Sequence, residues 1–449
     1  MPNIKQLLER RVSGQVKRAL PLEAGDAALN GLIGRVIADP KRSGSVFGLG
    51  EVFLVKAALY LTGVKLEPSA YEGVGTVHKE LVGIYQFDFN LGKTGDRPPL
   101  PAELSLPHGL HVPVNVNDAS PFALARVNGV LYLKVNGMRL FPVEYEARPK
   151  FYDQTTSDGA AMWKLAQHRL GDELMVTYNT YCHTLKGGNQ CRFCALNSGT
   201  PVDGLRNGCF IQTPQQIAEI AAAAYGEGVV KRLEITGGIL PRRAEIDFIL
   251  ETGKAVKQRL GTASIPNGHA LLAAPNDLHQ IDRLKEAGWE YVFFNLEVWD
   301  ENFFKAYCPG KEALVGREHW LKALDYAVDV FGPGNVRCIL IAGLEPLQSY
   351  LEGAEYLTSH GIFCDPAPWV PMPGSLLEGH SSPSAQWHIR LLVQTLDLWE
   401  RSGMPLDTIA KDGWLAFNDL ARMRLEVREQ NLPATDLRYK LSVLGDLNI

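Results

Sequence analysis

Cys182, Cys191 and Cys194 lie within Y-C-H-T-L-K-G-G-N-Q-C-R-F-C-A-L-N, residues 181–197, in a C-x8-C-x2-C arrangement. Cys191 and Cys194 can grip one metal or one cluster from a single turn of backbone. Cys182 reaches the same centre across a loop that Gly187 and Gly188 keep flexible. Soft thiolate ligands select zinc, copper(I) or iron–sulfur clusters. Structural zinc closes with four ligands, so a zinc knuckle here needs His183 or Cys209 to complete it. A three-cysteine set on a [4Fe–4S] cluster leaves one iron without a protein ligand, open to a small molecule.

The elements that must carry this loop are strands and helices in alternation. Residues 173–179 read as a strand running straight into the cysteines. A helix follows at 213–225, with Thr213 as its cap and Pro214 at its first position. Strands at 232–236, 269–274, 290–296, 336–342 and 362–370 then alternate with helices at 244–260, 276–287, 317–330 and 347–360. Strands separated by helices predict a parallel sheet with right-handed crossovers. Periodicity alone does not separate a partial barrel, a full barrel and an open sheet. In parallel barrels reactive residues gather at the C-terminal ends of strands. The cysteine loop, Thr236-Gly237-Gly238, Glu297, Gly343-Leu344-Glu345 and the P-M-P-G-S run at 371–375 all fall at such ends.

Residues 1–150 read differently. Helical stretches at 27–38 and 50–62 precede a proline-rich connector at 97–101, and residues 1–15 have an amphipathic helix pattern. Asn128-Gly129 and Asn136-Gly137, each between alternating apolar residues, predict a three-stranded antiparallel meander. We therefore expect an accessory α+β domain at 1–150, which caps the catalytic unit or serves packing or dimerisation. The barrel is expected at 151–380 and a helical extension at 381–449. A length of 449 residues suits two or three domains. The net charge of −5 gives no electrostatic reason for a nucleic-acid partner. Seven cysteines, of which Cys209, Cys308, Cys338 and Cys364 are scattered, do not form a secreted disulfide framework. The longest apolar run, 52–64, is short and broken by Lys56, so no membrane span is expected. The opening residues lack a signal peptide's apolar core, and the expected location is the cytoplasm.

Cys191-Arg192-Phe193-Cys194, followed downstream by Thr236-Gly237-Gly238, resembles the radical S-adenosylmethionine (SAM) superfamily. Most members separate the first two cysteines by three residues, whereas this chain uses eight. The resemblance implies an incomplete (β/α)6 barrel, a [4Fe–4S] cluster and SAM. It also implies a small-molecule substrate and an electron donor such as flavodoxin or ferredoxin. On this resemblance Phe193 contacts adenine, unless it is merely core. Gly237 and Gly238 admit the methionine part of SAM, or form a plain strand-to-helix turn. Glu297 takes the ribose hydroxyls or the SAM ammonium, or is a solvated loop carboxylate. V-R-C-I-L-I-A-G-L-E resembles the adenine-contact motif, with Gly343 giving close approach and Glu345 either contacting cofactor or capping the next helix. Trp320 stands near the place of an arginine that holds the SAM carboxylate in biotin-synthase-like members, leaving Lys311 or Arg317 for that role. Tyr307 or Cys308 can return a hydrogen atom to a product radical, although Cys308 also suits a small apolar position. The A-G-L-E and P-M-P-G-S runs resemble the biotin-synthase-like branch. F-Y-D-Q-T-T-S-D-G, L-E-V-W-D and C-P-G-K resemble the radical SAM family of bacterial nitrilase-containing gene clusters. Two further readings are a zinc-stabilised binding protein and a tRNA-modifying radical enzyme; the lack of a basic stripe argues against the second.

Overall fold

The computed structural model describes residues 47–74, 101–169, 171–185, 187–196, 211–410 and 416–429. The helices expected at 1–15 and 27–38, most of the connector at 97–101, and Lys186 and Cys209 lie outside these residues. The helix expected at 50–62 forms as α1 (Leu49–Thr62), apolar around most of its circumference and buried accordingly. It stops at Gly63, whose φ of +66° and lack of a Cβ are both required, since a Cβ would lie 2.5 Å from the Asn115 carbonyl oxygen.

Strands β1 (Lys65–Leu66), β2 (Glu103–Leu106), β3 (Leu110–Pro113), β4 (Phe122–Val127), β5 (Val130–Val135), β6 (Met138–Pro142) and β7 (Glu144–Tyr145) form two small sheets. One runs β1-β4-β5-β6 and the other β3-β2-β7. Strands β4 to β6 are the expected meander. Both of its Asn-Gly pairs turn with positive φ, 52° and 80° at 128–129 and 48° and 84° at 136–137.

The main sheet begins with β8 (Gln167–Arg169), a short antiparallel edge strand that periodicity did not reveal. Beside it lies β9 (Glu173–Asn179), then α2 (Pro214–Glu227) and β10 (Arg232–Gly237). Thr213 caps α2 reciprocally with Gln216, as its sequence predicts. The chain continues through α3 (Arg242–Leu260), β11 (Gly268–Leu271), α4 (Gln280–Glu286) and β12 (Tyr291–Phe293). Next come α5 (Glu301–Tyr307), α6 (Pro309–Leu314), α7 (Arg317–Phe331), β13 (Val336–Ala342), α8 (Leu347–Ser359) and β14 (Phe363–Pro368). Strands β9 to β14 are parallel and lie in sequence order, forming the curled sheet of a partial (β/α)6 barrel. Helices α9 (Ala385–Arg401), α10 (Leu406–Ala410) and α11 (Ala416–Glu429) follow. Lys56 of α1 and Asp419 of α11 form a fully buried ion pair, so the helix before the barrel and the helix after it are tied together.

Two elements are shorter than expected, β11 against 269–274 and α4 against 276–287. The fourth strand is also broken, β12 ending at Phe293 rather than at Leu296. There the Asn295 side chain accepts the Ile339 N–H at 3.1 Å in place of a backbone carbonyl. Pairing with β13 resumes at Glu297, whose N–H meets the Ile339 carbonyl at 2.9 Å. Helices α5 and α6, between β12 and α7, were not anticipated.

Candidate active site

Each cysteine is placed by a different backbone anchor. The His183 N–H donates to the Ile239 carbonyl at 2.7 Å, fixing Cys182 beside the end of β10. The Cys182 sulfur lies 3.0 Å from the Thr184 hydroxyl. The Arg192 N–H donates to the Tyr307 carbonyl at 2.8 Å, and the Leu377 N–H to the Arg192 carbonyl at 3.2 Å. Cys191 and Cys194 are thereby pinned between the end of α5 and the loop after β14. Gly187 and Gly188 both carry positive φ, 81° and 75°, in the turn between them and Cys182. All three cysteines are unbridged and partly buried.

Gly237 and Gly238 serve this loop directly. A Cβ on Gly238 would lie 2.4 Å from the Tyr181 carbonyl oxygen and 2.8 Å from the Cys182 Cα, and one on Gly237 would lie 2.9 Å from the Asn179 carbonyl oxygen. The space expected for the methionine part of SAM is, at these Cβ positions, filled by the backbone that leads into Cys182. Asn179 locks the junction: its side-chain amide donates to the Gly238 carbonyl at 2.8 Å and also to the Tyr181 carbonyl. Thr236 is buried beside Thr177 in the ladder.

A second group of side chains closes on the same place. The Lys311 ammonium lies 2.5 Å from Glu297 Oε1, 2.7 Å from the Asn295 carbonyl oxygen and 4.8 Å from the centre of the Trp320 ring. Trp320, which stands where an arginine was expected, is thus the floor under Lys311. Burial would lower the Lys311 pKa, but Glu297, Cys191 and Cys308 together hold it above its ordinary value. Glu297 has φ +72°, a left-handed conformation that is strained for a residue with a side chain and that recurs at functional sites. Cys308 is fully buried near Cys191. The neighbouring Cys308 and then Lys311 hold the Cys191 thiol below its usual range against burial, whereas burial and then Cys191 push Cys194 up to about 12.

Other expected contacts are placed differently. The Glu345 oxygens accept the Trp299 and Asp300 N–H groups at 2.8 and 2.9 Å and the Ser349 hydroxyl at 2.6 Å, so this carboxylate orders the turn behind Glu297. Arg317 lies on Trp299, 4.4 Å from its ring centre, and donates to the Trp299 carbonyl at 2.8 Å. Gly343 faces Pro383, 2.9 Å from where its Cβ would be, rather than an opening. Phe193 is half-buried against the core, and Tyr307 stacks on Phe303 with centres 6.0 Å apart. Cys308, read as a hydrogen donor or as a small apolar residue, is fully buried within the hydrophobic core.

The sequence reading missed a charged layer at the opposite end of the barrel. Arg169 pairs with Glu173 and, at 3.3 Å, with Glu234; Arg232 meets Glu173 at 2.9 Å. Arg337 lies 4.6 Å from the Phe363 ring centre, and Asp365 and Asn418 line the same space. Charges in strand positions 1 to 3 were the available signal. They plug the N-terminal end of the sheet beneath α11.

The donor set fits a cluster better than a single ion. A zinc–sulfur bond of about 2.3 Å puts ligand sulfurs roughly 3.8 Å apart. Among the described residues, the group whose ligand atoms all gather within 4.8 Å is Glu103, His111 and Glu146 of the small sheets, not the three cysteines. Thiolates spread more widely, free of disulfides and flanked by an ammonium suit the corners of a [4Fe–4S] cube.

A family model described as the radical SAM superfamily matches residues 181–360. The bacteriochlorophyllide c C-7(1)-hydroxylase of Chlorobaculum limnaeum is 28% identical over 290 residues, covering 61% of this chain and 70% of the relative. The FeFe-hydrogenase maturase HydG from Carboxydothermus hydrogenoformans matches with 15% identity and a TM-score of 0.39; 51% of each chain is covered, so this chain spans about half the maturase's length. A radical SAM methyltransferase from Sphaerobacter thermophilus matches with 13% identity and a TM-score of 0.39, over 64% of this chain and 76% of that one. Among the described residues no helix is long and apolar enough to cross a membrane. Residues 181–360 thus carry a radical SAM domain, the domain of enzymes that cleave SAM at a [4Fe–4S] cluster with an electron from a reductant in order to act on a substrate.

Proposed function

We propose that this enzyme takes a hydrogen atom from a carbon centre of a small organic molecule, in the cytoplasm, with flavodoxin or ferredoxin as its electron donor. The observation that carries the reading is the convergence of the three cysteines with Glu297 and Lys311 on one rim of the barrel. When bound, the cluster and SAM supply a 5′-deoxyadenosyl radical through one-electron cleavage of the sulfonium. Cys182, Cys191 and Cys194 hold three irons and leave the fourth for SAM. Glu297, oriented by Lys311, accepts hydrogen bonds from SAM's ribose or ammonium, and Phe193 borders the adenine. Tyr307 is the group proposed to return a hydrogen atom, since it is partly exposed and Cys308 is fully buried. Residues 1–150 are proposed as an accessory unit and 381–449 as an extension, around a barrel of 151–380. The hydroxylase relative works at a carbon position, which supports the C–H chemistry.

The test incubates reconstituted enzyme with reductant, SAM and fractionated small molecules in deuterated and protiated form. Deuterium entering 5′-deoxyadenosine from one fraction identifies the substrate. SAM cleavage that no small-molecule fraction stimulates or labels would overturn the reading.

A further inference from the structure

We propose that Glu103, His111 and Glu146, on one face of the β3-β2-β7 sheet, form a second metal site, separate from the cysteine loop, for a single divalent cation such as Mn2+ or Zn2+. Their ligand atoms all lie within 4.8 Å of one another. The sheet register brings them together from three backbone segments. Ser105 of β2 pairs with His111 of β3 and with Glu144 of β7. Two residues along the same antiparallel ladder, Glu146 falls opposite Glu103, and its N–H donates to the Glu103 carbonyl at 3.1 Å. Residues that face each other across antiparallel strands, and those two apart along one strand, share a face.

Two features of this face call for a cation. Like charges directly opposite on neighbouring strands destabilise a sheet, and here one of the two carboxylates, Glu103, is only 3% exposed. A dication balances both while His111 stays neutral and offers a lone pair. The second feature is His111 itself. Its Nδ1 lies 2.8 Å from Glu146 Oε1, yet that nitrogen is sealed from solvent and makes no properly directed hydrogen bond. Bonds of about 2.1 Å put octahedral ligands roughly 3.0 Å apart when adjacent and 4.2 Å when opposite, which matches the compactness of the set. Imidazole with carboxylate oxygen, and no thiolate, suits manganese or zinc.

The surroundings hold the ligands in place. The Ser105 hydroxyl donates to Glu146 Oε1 at 3.3 Å and orients that carboxylate. Gly171, between β8 and β9, has φ +76°, and a Cβ there would lie 3.5 Å from His111 Nε2. The turn that opens the main sheet thus packs on the far side of the imidazole, so a bound ion would clamp the small sheet beside the barrel. Ser105 and Glu146 also line a groove of about 780 Å³, through which an ion and its remaining water ligands can enter.

The test is Mn2+ titration of the cluster-reconstituted, oxidised full chain, read by the paramagnetic signal of the free ion. Mn2+ prefers oxygen and nitrogen to sulfur, so the result does not depend on the three cysteines. Wild type should withdraw about one Mn2+ per chain, and its thermal midpoint should rise with the ion, as ligand linkage requires. Ser105→Ala, which removes only the orienting hydroxyl, should weaken uptake by roughly 10–100-fold. Glu146→Gln and His111→Gln should weaken it further and lose the thermal response. A stoichiometric divalent metal already present in desalted wild type and missing from these two variants would be the same result. Wild type that takes up no metal would overturn the proposal and leave a plain His–Glu ion pair. Undiminished uptake in Glu146→Gln and His111→Gln would place the ion elsewhere and overturn it as well.

Discussion

The Lys311 ammonium lies 2.5 Å from Glu297 Oε1, and both side chains are largely shielded from water, at 9% and 13% exposure. The pair links the irregular end of the fourth strand to α6 in the wall beside the cysteines. A buried pair is weak evidence for net stability, because desolvation offsets attraction, but removing one partner strands the other. Lys311→Met is therefore expected to destabilise the protein by about 3–5 kcal/mol. The double variant Glu297→Gln, Lys311→Met should recover a measurable part, with a coupling of roughly 0.5–3 kcal/mol. Denaturant titration of the four proteins in the cycle checks this.

Glu297→Gln alone should weaken SAM binding by about 1–3 kcal/mol, the range for a lost charged hydrogen bond. Equilibrium binding on cluster-loaded protein reads the effect. A wild-type affinity with wild-type iron would assign Glu297 to orienting Lys311 only.

Replacing Cys182, Cys191 or Cys194 by Ala should abolish the cluster. Wild type should carry about four irons per chain and a broad absorbance near ~400 nm. Cys338→Ala should keep both, because the Cys338 sulfur is buried and accepts the Leu296 N–H at 3.3 Å. Iron and sulfide assays after anaerobic reconstitution distinguish the four variants.

Gly238→Ala should displace the cysteine loop, since its Cβ would lie 2.4 Å from the Tyr181 carbonyl oxygen. The expected result is a folded barrel with most of its iron lost. Gly226→Ala is the contrast: it lies within α2 with nothing within 4 Å of the added Cβ. It should stabilise the protein by about 0.8–1 kcal/mol and leave iron content alone. Circular dichroism with iron analysis reads both.

Burial raises the Glu245 pKa from 4.5 to about 7, although the Tyr178 hydroxyl at 3.0 Å and the Ala273 N–H at 3.2 Å favour the anion. Between about 4.5 and about 7 the folded state holds a proton that the unfolded chain releases. Stability from this group is therefore complete below pH 4.5 and is lost as pH rises through about 7. The full effect is about 3 kcal/mol. Glu245→Gln should flatten that part of the stability profile between pH 5 and 8, measured by thermal midpoints in both proteins.

The sequence by itself determined the alternation of strands and helices, the two Asn-Gly turns, the capped start of α2 and the three cysteines on one rim. Each depends on local chemistry: period of burial, φ preference, side-chain capping, or ligand type. The tertiary structure decided what those residues meet. Gly237 and Gly238 read as an approach for a ligand or a plain strand-to-helix turn, and their missing Cβ atoms make room for the backbone at Asn179, Tyr181 and Cys182. Glu345 read as a cofactor contact or a cap of the next helix, and its carboxylate holds Trp299 and Asp300, 46 and 45 residues away in the chain. Cys308 read as a hydrogen donor or a small apolar residue, and the packing of the barrel buries it completely in the core. Partners so distant in sequence leave no periodic trace, because no local spacing specifies them; only the curl of the sheet, which brings the ends of β9, β10, β12 and β14 to one rim, selects which atoms come within bonding distance.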